Sequence, residues 1–332
     1  RRTPGTGTFQ RGLSGYPMII QANAIYLPIA SNTVQCVVTS PPYWGLRDYG
    51  INGQLGLEST PEQYVANMVA VFREVRRVLK NDGVLWLNLG DSYAGSWGAQ
   101  GGPSNLGLPP AGVYQDKSPS RNATALGLKP KDLVGIPWRV AFALQADGWY
   151  LRSDIIWSKP NPMPESVTDR PTKAHEYLFL LAKSERYFFD QDAVRTPQHE
   201  SSLKRLETGW NGDKKRDWPR ENQHNNFDRY MGKSKEEIAT LPGRNIRSVW
   251  TITTQAWSGA HFATFPEKLV EPCILAGSRP GDIVLDPFVG SGTVIRVARR
   301  FQRRSIGCDL NIDYLTKQAD KRMRNVQVEM YA

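Results

Sequence analysis

Short apolar runs alternate with amphipathic stretches along most of the chain. Residues 34–38, 84–89 and 283–285 are mostly apolar and rich in β-branched residues or leucine, which predicts buried strands. Between the first two, apolar residues recur at helical spacing from Val65 to Leu79, and the turn residues 81–83 follow. Strands that alternate with amphipathic helices predict an α/β protein with a mostly parallel sheet.

Two prolines end the strand predicted at 34–38. Ser40-Pro41-Pro42-Tyr43 follows it, and proline cannot donate to a sheet, so the chain leaves at the carboxyl edge, where open α/β sheets bind ligands. This stretch suits a flat ring that bears an amino group. The Tyr43 ring would stack on its face, while Ser40 Oγ and the Pro41 carbonyl would accept from the amine. Taken alone, the same residues also fit a proline-rich turn with a packed tyrosine.

A glycine-rich turn follows the strand predicted to begin at Ile283. The stretch from Asp286 to Thr293 reads Asp-Pro-Phe-Val-Gly-Ser-Gly-Thr, and a helix is predicted from Thr293 to Phe301. The next strand, predicted from Ser305 to Leu310, contains Asp309. Glycines let a ligand approach the backbone, and an acid at the end of the second strand accepts hydrogen bonds from ribose hydroxyls. A nucleoside site is therefore expected; a Walker loop is not, because no Gly-Lys-Ser/Thr sequence follows.

Charge, cysteine content and hydropathy limit the kinds of partner, metal site and compartment that we expect. The 42 Lys and Arg residues exceed the 32 Asp and Glu residues, and the net charge of +10 favours a polyanionic partner. Cys36, Cys273 and Cys308 lie far apart without metal-ligand spacing, and His175-Glu176 lacks a further histidine at helical spacing, so we expect free thiols and no metal. No apolar run has the length of a membrane helix and no signal peptide is found, so we expect a cytoplasmic protein without a membrane partner.

The two motifs together resemble those of the amino-group DNA methyltransferases, which methylate exocyclic nitrogens with S-adenosylmethionine. Ser-Pro-Pro-Tyr is similar to their catalytic motif, and Asp-Pro-Phe-x-Gly-Ser-Gly-Thr is similar to their cofactor motif. The catalytic motif precedes the cofactor motif, which is the circularly permuted order of the β class. The resemblance implies a Rossmann-like, mostly parallel sheet of seven strands with helices on both faces and an inserted target-recognition region.

The resemblance also assigns roles to individual residues. It implies a catalytic role for Ser40, Pro41, Pro42 and Tyr43. It implies that S-adenosylmethionine is bound by residues of the second motif and of the strand after it, namely Asp286, Phe288, Gly290, Ser291, Gly292, Thr293 and Asp309. Two further cofactor contacts are expected by analogy: Asn23, where the family usually places an acidic residue, and Phe265, in a segment that resembles the motif before the cofactor strand.

The serine of the first motif indicates the target base. Within the family, Ser-Pro-Pro-Tyr is associated mainly with cytosine N4 and Asp-Pro-Pro-Tyr mainly with adenine N6, so we expect cytosine N4 with adenine N6 as the alternative. Methylation at cytosine C5 is disfavoured because it needs a thiolate, and Cys36 lies inside a predicted strand. Two other classes remain open: a non-catalytic DNA-binding module, and an RNA or protein methyltransferase.

The composition changes after about residue 198. Lysines and arginines there are interleaved with aromatic and amide side chains, as in proteins that contact a DNA duplex; a long solvated insertion is the alternative. We therefore expect a catalytic half at 16–195, a target-recognition insert at 196–247 and a cofactor-binding half at 248–332. The expected partners are double-stranded DNA and, functionally, a cognate restriction endonuclease. A Gly-, Pro- and Ser-rich loop at 94–129 is typical of a lid, a binding loop or a disordered segment, and its place after an active-site edge favours closure over DNA or cofactor.

The insert carries the candidate DNA-binding residues, which are Lys214, Lys215, Arg216 and Arg220. Replacing the first three together with alanine should reduce the salt dependence of DNA affinity, because fewer counterions are released when fewer phosphates are neutralised. The measurement is the slope of log affinity against log salt concentration for the variant and the parent chain. Identical slopes would place these three residues away from the DNA, and cofactor affinity, the control, should not change.

Overall fold

The protein is described here by a computed structural model, which covers residues 18–46, 50–94, 127–198, 243–254 and 265–311. Within these ranges, eight strands form one sheet in the order β1-β8-β7-β2-β3-β5-β4-β6. In chain order they are β1 (Met18–Gln21), β2 (Val34–Thr39), β3 (Leu79–Leu89), β4 (Tyr150–Ser158), β5 (His175–Ala182), β6 (Val249–Thr251), β7 (Ile283–Asp286) and β8 (Arg304–Asp309). All neighbouring strands are parallel except where β5 pairs with β3 and β4.

Four α-helices flank this sheet in the described part of the chain. They are α1 (Pro61–Val78), α2 (Ile136–Ala146), α3 (Glu267–Gly277) and α4 (Thr293–Arg300). The start of α1 follows its sequence signal, because Thr60 Oγ1 accepts a hydrogen bond from Gln63 N at 3.2 Å and Pro61 begins the first turn. The apolar stripe of α1, including Met68 and Phe72, is fully buried.

The helices cover both faces of the sheet. On one face, α1 and α2 pack in a single core cluster with alternate strand residues such as Val37 and Leu85. On the other face, α3 approaches β2 and β3 so closely that a Cβ atom on Gly277 would lie 2.7 Å from Cys36 Sγ. Strands buried on both sides explain the continuous apolar runs of the sequence.

The predicted Rossmann-like α/β fold is confirmed, with two differences in detail. Within the described residues the sheet has eight strands rather than seven, and the short β6 lies at its edge beside β4. β3 begins at Leu79 and not after the turn residues 81–83. Leu79 pairs with Val34, and a shift in register between Val34 and Cys36 accommodates the extra residues.

The chain divides into two compact units: Arg1–Phe189 with Ser248–Ala332, and Asp190–Arg247. In the second unit, Thr196 and Arg244 exchange backbone hydrogen bonds of 2.9 and 2.8 Å, which join its two ends. The candidate DNA-binding residues Lys214, Lys215, Arg216 and Arg220 lie outside the described residues, as does most of the 94–129 loop. None of the helices that the structure describes has the length and apolarity needed to span a membrane.

Candidate active site

Both sequence motifs lie at one edge of the sheet. Apart from β5, the strands all point the same way, so their carboxyl ends meet at this edge together with the amino end of β5. Ser40 follows β2, Asp286 ends β7 and Asp309 ends β8, and these three strands lie in the order β8-β7-β2. The sheet therefore brings together two regions that are far apart in the sequence.

A buried hydrogen bond connects the two motifs directly. Thr39 Oγ1, one residue before Ser40, donates to Asp286 Oδ1 at 2.8 Å. The same oxygen accepts from Phe288 N at 3.0 Å, which starts the glycine-rich turn. Burial raises the pKa of the Asp286 carboxyl to about 7, against the effect of these two hydrogen bonds. Asp286 thus holds the ends of β2 and β7 in register.

The glycine-rich turn is held by Asp309. Gly290 and Gly292 have φ of 46° and 81°, values that favour glycine. Gly290 N donates to Asp309 Oδ2 at 3.0 Å, and Asn311 N donates to Asp309 Oδ1 at 2.9 Å. Burial raises the pKa of Asp309, while these backbone donors oppose the shift. A carboxylate can accept about four hydrogen bonds, so Asp309 retains capacity for a ligand's hydroxyl groups.

The space above the turn is open. A Cβ atom on Gly290 would meet nothing nearer than the Phe288 carbonyl oxygen, at 3.9 Å, so a ligand can lie against this backbone. Ser291 and Thr293 are buried beneath the turn. An open glycine turn beside a carboxylate, without a lysine in the turn, suits the ribose of a nucleoside better than a triphosphate. The site therefore fits the adenosyl part of S-adenosylmethionine.

Of the remaining predicted cofactor residues, Asn23 and Phe288 lie near this turn, whereas no contact with it is found for Phe265 among the described residues. Ala22 N donates to the Asp309 carbonyl at 3.0 Å, which places the next residue, Asn23, beside the end of β8. The Asn23 side chain is already engaged locally, since its Oδ1 accepts from Ile25 N at 3.0 Å. Phe288 packs against the main core, and Phe265 lies just before α3.

The Ser-Pro-Pro-Tyr turn is fixed by α1 and by a buried tryptophan. Tyr64 Oη donates to the Pro42 carbonyl at 2.9 Å, and Trp44 Nε1 donates to the Glu58 carbonyl at 2.9 Å. By contrast, the Pro41 carbonyl receives no hydrogen bond from any residue that the structure describes. Of the two proline carbonyls, the one at Pro41 is therefore available to a ligand's amino group.

The Tyr43 hydroxyl lies at the centre of a polar cluster. It accepts from Ser40 Oγ at 3.3 Å and is within hydrogen-bond distance of Glu176 Oε2, at 2.8 Å, and Asn88 Oδ1, at 3.0 Å. Burial, and then the Glu176 charge, raise the pKa of Tyr43 well above its ordinary value, so the phenol keeps its proton. Gly90 lies against the ring, and a Cβ there would come within 2.5 Å of Tyr43 Cε2.

Several polar residues of this cluster were not among the predicted site residues. Lys159 Nζ forms an ion pair with Glu176, and Lys173 Nζ is buried with no hydrogen-bond partner in the described part of the chain. Burial lowers the pKa of Lys173, against the charges of Asp91 and Glu176. One sequence signal was available: Asn88 is the one polar side chain within the apolar run 84–89.

Asp91 has a structural role at this edge. Its Oδ1 accepts hydrogen bonds from three backbone N–H groups, those of Ser92, Gly135 and Ile136, at 2.9, 3.0 and 3.0 Å. These bonds satisfy the amino end of α2, where Gly135 has a φ of 77° and provides no side-chain cap. The carboxylate therefore connects the end of β3 to α2.

Comparison with known protein families agrees with this geometry. A family model described as "N6_N4_Mtase: DNA methylase" matches residues 34–321. The chain belongs to this family. The expected resemblance to amino-group DNA methyltransferases is confirmed, and the chain is a DNA methyltransferase of the N4/N6 class.

Similar proteins include two bacterial methyltransferases. The chain is 45% identical to the Type II methyltransferase M.XycI of Xanthomonas campestris pv. cyanopsidis, over 94% of this chain and 91% of that protein. It is 46% identical to the Type II methyltransferase M.Cfr9I of Citrobacter freundii, over 86% of this chain and 80% of that protein. Each of the two matches covers at least 86% of this chain.

Solved structures share the fold at low sequence identity. PvuII DNA methyltransferase (cytosine-N4-specific) aligns with a TM-score of 0.60 and 18% identity, over 94% of this chain and 88% of that one. A putative DNA modification methylase from Thermus thermophilus, solved in complex with S-adenosyl-L-methionine, aligns with a TM-score of 0.52 and 21% identity, over 92% and 93% of the two chains. No group of three or more metal-binding side chains occurs within the ranges that the structure describes.

The buried Asp286 carboxyl predicts a pH dependence of stability. Its pKa is raised to about 7 in the folded state, so between about pH 4 and pH 7 the folded chain binds a proton that the unfolded chain has lost. The free energy of unfolding should therefore fall as pH rises through this window, by up to about 1.4 kcal/mol per pH unit. The free energy of unfolding of Asp286→Asn should lack this pH-dependent contribution.

Urea unfolding between pH 4 and pH 8 would measure the difference between the parent and Asp286→Asn. Glu185→Gln, at an exposed position, is the matched control and should keep the parent's profile. Parallel profiles for the parent and Asp286→Asn would contradict the assignment of a raised pKa to Asp286.

Proposed function

We propose that this DNA methyltransferase transfers a methyl group from S-adenosyl-L-methionine to the exocyclic N4 of cytosine in duplex DNA. The observation that carries the proposal is the convergence of the Ser40 hydroxyl, the unengaged Pro41 carbonyl and the Tyr43 ring at one sheet edge, next to the Gly290 turn. Family membership and the S-adenosylmethionine complex of a protein with the same fold support the choice of methyl donor.

The two hydrogen-bond acceptors, Ser40 Oγ and the Pro41 carbonyl, raise the nucleophilicity of the target amine. The amino nitrogen of cytosine is a poor nucleophile because its lone pair is delocalised into the ring. Hydrogen bonds from its two hydrogens to Ser40 Oγ and the Pro41 carbonyl favour a pyramidal nitrogen with a localised lone pair. Since the Pro-Pro turn is held by Tyr64 and by the buried Trp44, the acceptors are oriented before the base arrives.

The target base has to leave the DNA stack to reach this edge. The half-buried Tyr43 ring offers a surface on which the flipped base stacks. The Tyr43 hydroxyl donates to Glu176 and accepts from Ser40, so the ring is fixed in orientation without the DNA. Stacking on Tyr43 replaces part of the stacking that the base loses in the duplex.

The residues that would hold the cofactor lie at the neighbouring half of the edge. Asp309 would accept hydrogen bonds from the ribose, and the backbone at Gly290 would lie against the cofactor. The buried Ser291 and Thr293, with Gly292, would shape the turn. Asn23, Phe265, Asp286 and Phe288 complete the site around the adenosyl and methionine ends. When bound, S-adenosylmethionine supplies the methyl group and its sulfur becomes an uncharged thioether.

DNA recognition is assigned to the insert at 196–247, between the catalytic half at 16–195 and the cofactor-binding half at 248–332. Its basic residues Lys214, Lys215, Arg216 and Arg220 neutralise phosphates of the duplex. A cognate restriction endonuclease is the functional partner that the Type II relatives favour. The enzyme acts in the cytoplasm, where its DNA substrate and cofactor occur.

Nucleoside analysis of methylated DNA tests the proposal. Mixed-sequence duplex DNA is incubated with the enzyme and methyl-labelled cofactor, digested, and separated by mass. Labelled N4-methylcytosine is the expected product. Labelled N6-methyladenine would show that the target base is adenine and would leave the family assignment intact. Label in competing RNA or protein but not in DNA would reject the proposal.

Replacement of Ser40 tests the role of the hydroxyl. Ser40→Ala keeps the Pro-Pro turn and the Tyr43 ring, so DNA and cofactor should still bind. Turnover should fall by about 10-fold or more if the lost hydrogen bond contributes about 1.4 kcal/mol in the transition state. Ser31→Ala, three residues before β2 and at the other end of that strand, is the control and should keep parental turnover. Full turnover by folded Ser40→Ala would remove Ser40 from the mechanism.

A further inference from the structure

A chain of hydrogen bonds leads away from the proposed amine site. Ser40 Oγ donates to Tyr43 Oη at 3.3 Å, and Tyr43 Oη donates to Glu176 Oε2 at 2.8 Å. Asn88 Oδ1 is a second acceptor for the phenol, at 3.0 Å. A phenol has one proton, and a charged acceptor at a shorter distance forms the stronger hydrogen bond. The chain therefore runs from Ser40 through Tyr43 to Glu176.

The orientation of this hydrogen-bond chain is fixed at the end formed by Glu176. Lys159 pairs with Glu176 Oε1, which leaves Oε2 for Tyr43. Both charged side chains are largely buried, with 17% of Lys159 and 15% of Glu176 exposed. Asn88 is fixed as well, because its Nδ2 donates to the Tyr177 carbonyl at 3.1 Å and its Oδ1 is thereby turned toward Tyr43.

The direction of the chain determines what Ser40 presents to a substrate. Since the Ser40 proton points toward Tyr43, the lone pairs of Ser40 Oγ face the pocket. An amine with two N–H groups needs acceptors at this position and would be repelled by a donor. The contact between Tyr43 and Glu176 thus sets the polarity of a serine that Glu176 does not touch.

We propose that Glu176 is a positioning residue that directs this chain and receives, through Tyr43 and Ser40, the proton that the target amine loses on methylation. This inference rests on the proposed function. The nitrogen lone pair forms the new N–C bond, and one N–H bond then breaks. That proton passes to Ser40 Oγ as the serine proton passes to Tyr43 Oη and the tyrosine proton passes to Glu176. The products are a neutral methylated amine and a protonated Glu176 carboxyl, which releases its proton to water.

Two variants separate proton transfer from packing. Glu176→Gln keeps the size of the side chain and an oxygen that accepts from Tyr43, but it does not take a proton. Tyr43→Phe keeps the stacking ring and removes the middle of the chain. Each should lower the single-turnover rate of methyl transfer by about 100-fold, the scale of one proton-transfer step. The double variant should be no slower than either single one, because both break the same chain.

Dissociation constants for DNA and cofactor should stay at parental values in both variants, which a general loss of structure would not allow. Glu165→Gln is the matched control: Glu165 is a half-buried carboxylate paired with Arg170, outside the Ser40–Tyr43–Glu176 chain, and its replacement should keep the parental rate. Parental single-turnover rates in Glu176→Gln, or multiplicative losses in the double variant, would overturn the inference. A parent enzyme that methylates no DNA would instead overturn the proposed function.

Discussion

The buried hydrogen bond between Thr39 and Asp286 is the contact on which the site depends. It joins residues 247 positions apart at the ends of two adjacent parallel strands. One strand leads into the Ser-Pro-Pro-Tyr turn and the other into the glycine-rich turn, so this contact, together with the backbone pairing of β2 and β7, sets the distance between the base pocket and the cofactor pocket. In a methyl transfer this distance matters, because the nitrogen and the methyl carbon have to meet in line.

The permuted order of the motifs becomes unimportant once the sheet is formed. Since β2 lies between β3 and β7, the strand that precedes the catalytic turn has one neighbour close in sequence and one from the far end of the chain. This arrangement depends on a contact between residues far apart in the sequence. Forming that contact costs conformational entropy of the chain, which has to be lost before the site exists. The site is thus completed only when the last strands of the sheet are in place.

The sequence was sufficient for the features that consecutive residues encode. The two turns, the cap at Thr60 and the apolar strands each have local signals, and the carboxyl edge follows from parallel strands. Asn88 had a local signal, as the polar residue of an apolar run, but the contacts of Tyr43 with Asn88 and Glu176 had none, because they depend on the register of strands in the folded sheet. The start of β3 at Leu79 was missed for a related reason: pairing with β2 overrode the turn preference of Asn-Asp-Gly.

The absence of a side chain at Gly90 is a condition for the position of the Tyr43 ring. The backbone at Gly90 lies so close to the ring that a Cβ atom there would come within 2.5 Å of Tyr43 Cε2 and 2.9 Å of Cδ2. Any other residue at position 90 would therefore have to displace the ring, and with it the surface proposed for stacking of the target base. A packing requirement of the protein and the geometry of substrate binding thus meet at one backbone position.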